Sequence, residues 1–259
     1  MTGLTFKDYF SGHAAAYADA RPRYPAELFD WLATLTRNHE TAWDCATGNG
    51  QAARGLAEHF KQVIATDPSR EQIENAFPHE RVSYRVALAE SPGLESRSVD
   101  LVTVAQAVHW FDRPAFYAQV RQALKPGGVI AIWCYGLCAI TPEIDALVQN
   151  FYTRETGPYW PPERALIDDG YRSINFPFTE ITPPALHIEQ RWTLSQFLAY
   201  LRTWSAVQKY ITRNGRDPVI GFGAELETRW GDPGAIRTVR WPLHIRAGRL
   251  PRSRQRAYR

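Results

Sequence analysis

Three cysteines in 259 residues (Cys45, Cys134 and Cys138) are too few and too scattered for a disulfide framework. Cys134 and Cys138 form the only close pair, and no histidine cluster accompanies them, so a metal site is not expected. Long hydrophobic runs are also missing. The longest apolar stretch, 127–140, is shorter than the ~20 residues that a membrane-spanning helix needs. Residues 1–17 carry charge and aromatics where a secretory leader would carry an apolar segment. Charge of one sign is scarce: 30 basic residues face 27 acidic ones, for a net charge of +3, which does not call for nucleic acid. There is no internal repeat and no low-complexity tract. These absences lead to the expectation of a reducing, cytoplasmic setting with no membrane or nucleic-acid partner. One local excess stands out. Arg246, Arg249, Arg252, Arg254, Arg256 and Arg259 occur with no acidic residue among them, and this reads as a solvated chain end.

What is present is apolar content, at 44%, enough for a substantial core. The chain is organised around Trp43-Asp44-Cys45-Ala46-Thr47-Gly48-Asn49-Gly50. A short apolar run, 41–45, enters this stretch and a helix-like run, 51–60, leaves it. Strand, glycine loop and helix in that order make a cradle for a nucleotide-like ligand, because glycine tolerates positive φ and the helix begins with unpaired N–H groups. Asp44 ends the strand. A second strand, 62–67, ends at Asp67, which is followed by Pro68. An acid about 20 residues beyond such a loop is placed to bond the ribose hydroxyls of an adenosine-containing ligand.

The alternation continues. Residues 25–35 and 69–77 have helical spacing, and 82–87 and 98–106 read as strands, the latter apolar on both faces as buried parallel strands are. A helix, 116–124, is stopped by Lys125-Pro126-Gly127-Gly128 before a fifth strand, 129–133. Strands alternating with helices predict an α/β, doubly wound, mostly parallel sheet with ligands at the C-terminal strand ends. Asp44, Asp67, Ala89, Glu90, Gln106 and Cys134 fall at those ends.

After about residue 137 the rhythm changes to a stretch rich in aromatics and prolines, read as a cap insertion with helices at 144–152 and 197–210. The alternating run 238–245 predicts a strand that rejoins the sheet, with 185–192 as its antiparallel neighbour. Trp133, Trp160, Trp192, Trp204 and Tyr159 are candidates for an aromatic acceptor pocket, and Arg172, Arg191 and Arg202 for carboxylate clamps. The expected organisation is a single domain over 1–259. It has an N-terminal flap (1–25), a ligand-binding core (26–137), a cap with late sheet elements (138–235), a final strand (236–250) and a basic tail (251–259).

Taken together, Asp44-x-Ala46-x-Gly48-x-Gly50, Asp67, Leu88-Ala89-Glu90, Val99-Asp100-Leu101-Val102, His109-Trp110 and Leu124-Lys125-Pro126-Gly127-Gly128 resemble a class I S-adenosylmethionine-dependent methyltransferase. The opening Tyr17…Arg21-Pro22-x-Tyr24-Pro25 is similar to the trans-aconitate-methyltransferase-like and ubiquinone/menaquinone-biosynthesis-like groups. The chain departs from the pattern at Ala46, where the family usually has glycine. The resemblance implies a Rossmann-like, seven-stranded sheet with an antiparallel C-terminal strand. It also implies S-adenosyl-L-methionine as cofactor and S-adenosyl-L-homocysteine as product.

The roles it implies are as follows. Ala46, Gly48 and Gly50 approach the methionine part, and Asp44 helps to hold its ammonium. Asp67 takes the ribose hydroxyls, with Pro68 beside it. Ala89 and Glu90 lie at the adenine edge. Gln106 and Ala107 form the floor under the sulfonium, and Tyr17 and Arg21 close the site, with Arg21 a candidate partner for the cofactor carboxylate. His109 is the candidate general base. The acceptor is expected to be a small molecule, with a carboxylate or hydroxyl oxygen receiving the methyl group. Two rival readings stay open: a nicotinamide-dependent oxidoreductase and a non-catalytic cofactor-binding protein. A nucleic-acid methyltransferase is disfavoured by the near-neutral charge and by the lack of an Asn-Pro-Pro-Tyr type motif.

Overall fold

Helical and strand-like periodicities in the first half of the chain become alternating helices and parallel strands in the computed structural model, which describes residues 22–250. The expected flap residues Tyr17 and Arg21 and the tail 251–259 lie outside the described residues. The chain divides into two units. Among the described residues, the sheet unit comprises Ala26–Cys134, Asp169–Pro184 and 244–250; the cap unit comprises 22–25, Tyr135–Asp168 and Ala185–Leu243. Among the described residues no helix is long and apolar enough to cross a membrane.

In the sheet unit, helix α1 (Ala26–Thr34) precedes strand β1 (Thr41–Cys45) and buries Leu28, Phe29, Leu32 and Ala33. There follow α2 (Gln51–Ala57), β2 (Gln62–Asp67), α3 (Arg70–Glu74), β3 (Val82–Val86), β4 (Val99–Ala105), α4 (Arg113–Ala123) and β5 (Leu124–Tyr135). Strands β6 (Thr179–Ile181) and β8 (Arg237–Arg249) complete a sheet path of order β3-β2-β1-β4-β5-β8-β6, and β7 (His187–Trp192) joins off this path by pairing with β8. Strand β8 runs antiparallel to β7, the expected neighbour, and also to β6. The strand that the sequence reading lacked is β6, which brings the sheet from the expected seven strands to eight. Pro242 does not exclude β8 from the interior of the sheet. Its side chain is exposed between buried Trp241 and Leu243, so the pleat turns it outward.

The central strands are apolar on both faces because both are covered. Trp43 is fully buried, packs edge-on to Phe116 at 6.0 Å and donates its indole N–H to the Thr66 hydroxyl at 2.9 Å. Lys125-Pro126-Gly127-Gly128 does more than stop α4. Val99 faces Leu124 and Leu101 faces Val129, so these four residues bulge from β5 opposite Asp100 alone. Lys125 Nζ reaches Asp100 Oδ2 at 2.9 Å, and the same oxygen accepts the N–H groups of Glu40 and Thr41. Two of the motifs behind the resemblance thus meet at the N-terminal end of β4, where their work is structural.

The cap unit holds α5 (Pro142–Asn150), a π-turn (Phe151–Glu155), α6 (Arg164–Asp168), α7 (Leu194–Arg202), α8 (Ser205–Asn214) and α9 (Pro218–Trp230). The helix expected over 197–210 is two helices. The chain leaves helical backbone at Trp204 (ψ 130°), whose ring packs against Phe151, Tyr152, Trp160 and Tyr200 with centroids 5.6 to 6.3 Å away. Burial of that indole outweighs helix continuity. Helix α9 is not among the expected elements. It is capped by Asp217, which accepts the Val219 N–H at 2.8 Å, and it buries Val219, Phe222, Leu226 and Trp230.

Candidate functional site

Strands β1 and β4 are neighbours at the centre of the sheet, and the chain proceeds outward from them in opposite directions, through β2 and β5. That is the switch point at which open α/β sheets bind ligands. Each of these two strands is followed by an L-residue in the left-handed region: Ala46 at φ 54° after β1, and Gln106 at φ 57° after β4. Such a backbone costs about 1–2 kcal/mol per residue and persists where the surroundings dictate it. Gln106 is fixed by its N–H donating to Trp133 O at 2.8 Å. Ala107 is buried behind it.

The loop after β1 alternates in hand, with positive φ at Ala46, Gly48 and Gly50. Most of its amides are used internally. Thr47 N–H donates to Thr66 O (3.0 Å), Gly48 N–H to Asp67 Oδ2 (2.9 Å) and Gly50 N–H to Thr47 O (3.0 Å). The two glycines have different reasons. At Gly50 a Cβ would collide with the Tyr84 hydroxyl, which donates to Phe77 O at 2.7 Å. At Gly48 the nearest atom to a Cβ would be 3.8 Å away, and the left-handed backbone is the requirement.

Asp44 is fully buried at the end of β1. Its Oδ2 accepts from the Thr47 hydroxyl at 2.5 Å and its Oδ1 from the Thr103 hydroxyl of β4 at 2.7 Å. Burial pushes its carboxyl up to about 6, against the pull of those hydroxyls and of the Ala53 N–H, and the negative charge of Asp67 adds to the push. Asp67, buried at the end of β2, accepts from Gly48 N–H through one oxygen and from Ser69 N–H (2.9 Å) through the other. Pro68 is half-buried. The Asp67 carbonyl takes the Ala87 N–H, which brings the end of β3 alongside. Next comes the turn with Ala89, buried, and Glu90, whose Oε1 accepts the Asp112 N–H at 2.9 Å.

His109 is buried on a short turn after β4, its ring 4.6 Å from that of Trp110. Its Nδ1 is 2.8 Å from the hydroxyl of Tyr171. Tyr171 is fully buried and left-handed (φ 62°), directly after left-handed Gly170. It belongs to the segment Asp169–Pro184, which packs with the sheet unit rather than with the cap residues around it in sequence. Arg246 holds that segment by donating to Tyr171 O and Ile174 O and pairing with Glu180, its guanidinium lying 4.8 Å from the Phe176 ring. Arg249 donates to Gly127 O and Leu35 O. These two arginines are therefore ties within the fold, not part of a solvated end.

The expected aromatic and arginine candidates are divided between the two units. Trp133 is a buried residue of the sheet unit. In the cap unit Trp160, Trp204 and Trp192 belong to one run of ring contacts, with Tyr152 beside the first two and Tyr200 joining Trp204 to Trp192, while Tyr159 lies against Tyr210. Arg202 pairs with Asp217 at 2.7 Å, Arg191 is exposed on β7, and Arg172 donates to Asp169 O. Thr47, Thr103, Tyr171 and Asn49 are the members of the site that sequence reasoning missed. A lone threonine or tyrosine carries no signal until its partner strand is known.

An adenosine-bearing amino-acid ligand fits these residues. The constellation offers two carboxylates as acceptors, at Asp44 and Asp67, and one orphaned donor. Asn49 is 8% exposed, and its side-chain Nδ2 is buried without a hydrogen-bond partner. Such an amide wants an acceptor that the protein does not supply.

Residues 43–132 match the family described as "Methyltransferase domain". A protein of Dictyostelium discoideum named as a methyltransferase is 37% identical over 252 residues, covering 94% of this chain and 95% of that one. A Saccharomyces cerevisiae protein named as an S-adenosylmethionine-dependent methyltransferase is 28% identical over 261 residues, covering 85% of this chain and 87% of its own. A solved structure described as a type II methyltransferase from Anaeromyxobacter dehalogenans is 47% identical, with a TM-score of 0.84 over 89% of this chain and 99% of that one.

Proposed function

The chain belongs to the S-adenosylmethionine-dependent methyltransferases, and from that membership we propose that it methylates a cytoplasmic small molecule at oxygen, with a carboxylate as the acceptor group. The observation that carries the site assignment is the bond from Gly48 N–H to Asp67 Oδ2, which holds an acceptor-only carboxylate against the glycine loop at the switch point. Asp67 then takes the ribose hydroxyls, and Pro68, Ala89 and Glu90 border the adenine. Ala46, Gly48 and Gly50 border the amino-acid part, with Asp44 beneath them. Gln106 and Ala107 form the floor. Tyr17 and Arg21 are carried over from the resemblance alone.

When bound, S-adenosylmethionine supplies a methyl group already activated as a sulfonium. What remains for the chain is to hold donor and acceptor in line and keep water out, which is worth several powers of ten in rate. An ionised carboxylate needs no base. That agrees with a His109 that is buried and engaged through Nδ1 by Tyr171. A hydroxyl acceptor would instead ask His109 to take its proton. Support for the carboxylate comes from the Tyr17…Arg21-Pro22-x-Tyr24-Pro25 resemblance.

Calorimetric titration with S-adenosylmethionine and S-adenosylhomocysteine tests the cofactor assignment. We expect micromolar binding that Asp67→Ala weakens at least tenfold, or about 1.4 kcal/mol. Folded wild-type protein that binds neither ligand would overturn it. Transfer of labelled methyl to a panel of carboxylic acids, phenols and alcohols tests the acceptor, since base-labile label marks an ester.

A further inference from the structure

Asn49 sits in the glycine loop, more than nine-tenths buried, yet its Nδ2 meets no acceptor. A buried polar group without a partner costs about 1–3 kcal/mol. Nothing in the fold repays that here. The neighbouring backbone is occupied elsewhere, since the Asn49 carbonyl accepts Phe77 N–H and the amides of Thr47, Gly48 and Gly50 donate within the protein. Helix α2, which follows the loop, has only seven residues and an N-cap at Gly50 that offers no side-chain bond, so it is a weak anion site in its own right.

The polar inventory of the site is one-sided. Asp44 and Asp67, when ionised, can only accept. They suit the donors of an adenosyl amino acid, namely its ammonium and its ribose hydroxyls. In the amino-acid part of such a ligand, the polar group left after its ammonium is the α-carboxylate, which needs donors. Three of the loop amides are spoken for, and Asn49 Nδ2 is a buried donor at this loop that no protein acceptor meets.

We infer that Asn49 is a cofactor-recognition residue whose side-chain amide donates to the carboxylate of the methionine moiety. It distinguishes ligands that carry that group from adenosine compounds that lack it. The inference rests on the cofactor reading above. It goes beyond that reading, in which the resemblance offers Arg21 as a partner of the carboxylate, by assigning a side chain of the glycine loop to it.

The test compares S-adenosylhomocysteine with its decarboxylated analogue, which keeps the ammonium, the thioether and the adenosine. Wild type, Asn49→Ala and Asn49→Asp are each titrated calorimetrically with both ligands, and each ligand-free protein is melted. We expect Asn49→Ala to weaken S-adenosylhomocysteine about tenfold, or about 1.4 kcal/mol, and to change the analogue less than twofold. We expect Asn49→Asp to weaken S-adenosylhomocysteine further, because it sets a negative charge against the carboxylate, while the analogue binds at least as well as before. The melting temperature of ligand-free Asn49→Ala should equal or exceed that of wild type, since an unpaired donor has been removed. Equal losses for both ligands would overturn the inference, as would undiminished S-adenosylhomocysteine binding by Asn49→Ala. A lowered melting point with unchanged affinity would show a purely structural residue and also overturn it. Failure of wild type to bind either ligand would instead fell the cofactor reading itself.

Discussion

The sheet unit and the cap unit are held together by different chemistry. At the strand ends of the sheet unit, side chains bind backbone or hydroxyls across long sequence separations. Asp44 binds Thr103, Asp67 binds Gly48, Asp100 binds Thr41, and Arg249 binds Leu35. In the cap unit the interior is rings. Phe151 stacks on Phe222 at 4.3 Å, Phe197 on Trp230 at 5.8 Å, and Trp192, Tyr200 and Trp241 lie within 5.2 to 5.4 Å of one another. The lesson is about tolerance. Directional bonds fix atoms to tenths of an ångström, which a recognition site needs. Ring packing fills volume and accepts several arrangements, which suits a region that need only be solid.

If that contrast is right, the largest loss of stability comes from the rings. Trp230→Ala removes a fully buried indole that packs on Phe197 and donates to Ala235 O. It should lower stability by about 3–5 kcal/mol. Urea titration followed by tryptophan fluorescence reads this, and a loss below about 1 kcal/mol would break the contrast.

Asp44 gives the next effect, with a sign set by its raised carboxyl. A folded-state value near 6 against 3.8 means that protonation favours the folded state. The stabilisation is complete below about pH 3.8 and is lost as pH rises through 6. Asp44→Asn should therefore be more stable than wild type at pH 8, by about 2–3 kcal/mol from a shift of about two units, and the two should converge near pH 4. The same carboxylate should make wild-type cofactor affinity fall below pH 6, whereas the Asp44→Asn variant, with no charge to lose, should bind weakly at every pH. Parallel stability curves for the two proteins would show that burial does not perturb Asp44.

Arg246→Ala comes third. It strips donors from the Tyr171 and Ile174 carbonyls and frees Glu180, for a loss of about 2 kcal/mol. Hydrogen exchange should rise across 169–181 and stay unchanged in the cap unit. The smallest effect has the opposite sign. The Tyr117 hydroxyl is buried among Phe116, Phe176 and Phe178 without a partner, and burial pushes its phenol up to about 12. Tyr117→Phe should raise stability by about 1 kcal/mol in thermal melts.

Much of the sheet unit was legible in the sequence because its elements are local patterns with period 2 or 3.6. The five parallel strands, the glycine loop, Asp67 and the antiparallel pair β7–β8 all followed from runs of a few residues. The parts that were not legible depend on distant partners. Helix α9 is missing from the expected elements although Asp217-Pro218 and the spacing of Val219, Phe222, Leu226 and Trp230 form a local helix signal, because it lies in an aromatic-rich region whose other rings obey no period. The break at Trp204 depends on rings 44 to 53 positions earlier, from Phe151 to Trp160. Tyr171 finds His109 across 62 positions, and no local pattern predicts that pairing. The arginines at 246 and 249 looked like the beginning of a tail because composition does not show what a side chain reaches.

Strand β8 lies between β5 and β6 on the sheet path, with β7 against its first half, so the last described strand is an interior one. A nascent chain cannot close this sheet while residues 237–249 are still in the ribosome. Until then β5 presents an open, apolar edge, the kind of surface on which unfinished chains stick to one another. Closure therefore waits on the synthesis of β8, and a chain stopped just before Arg237 contains the whole glycine loop with that edge of β5 still open.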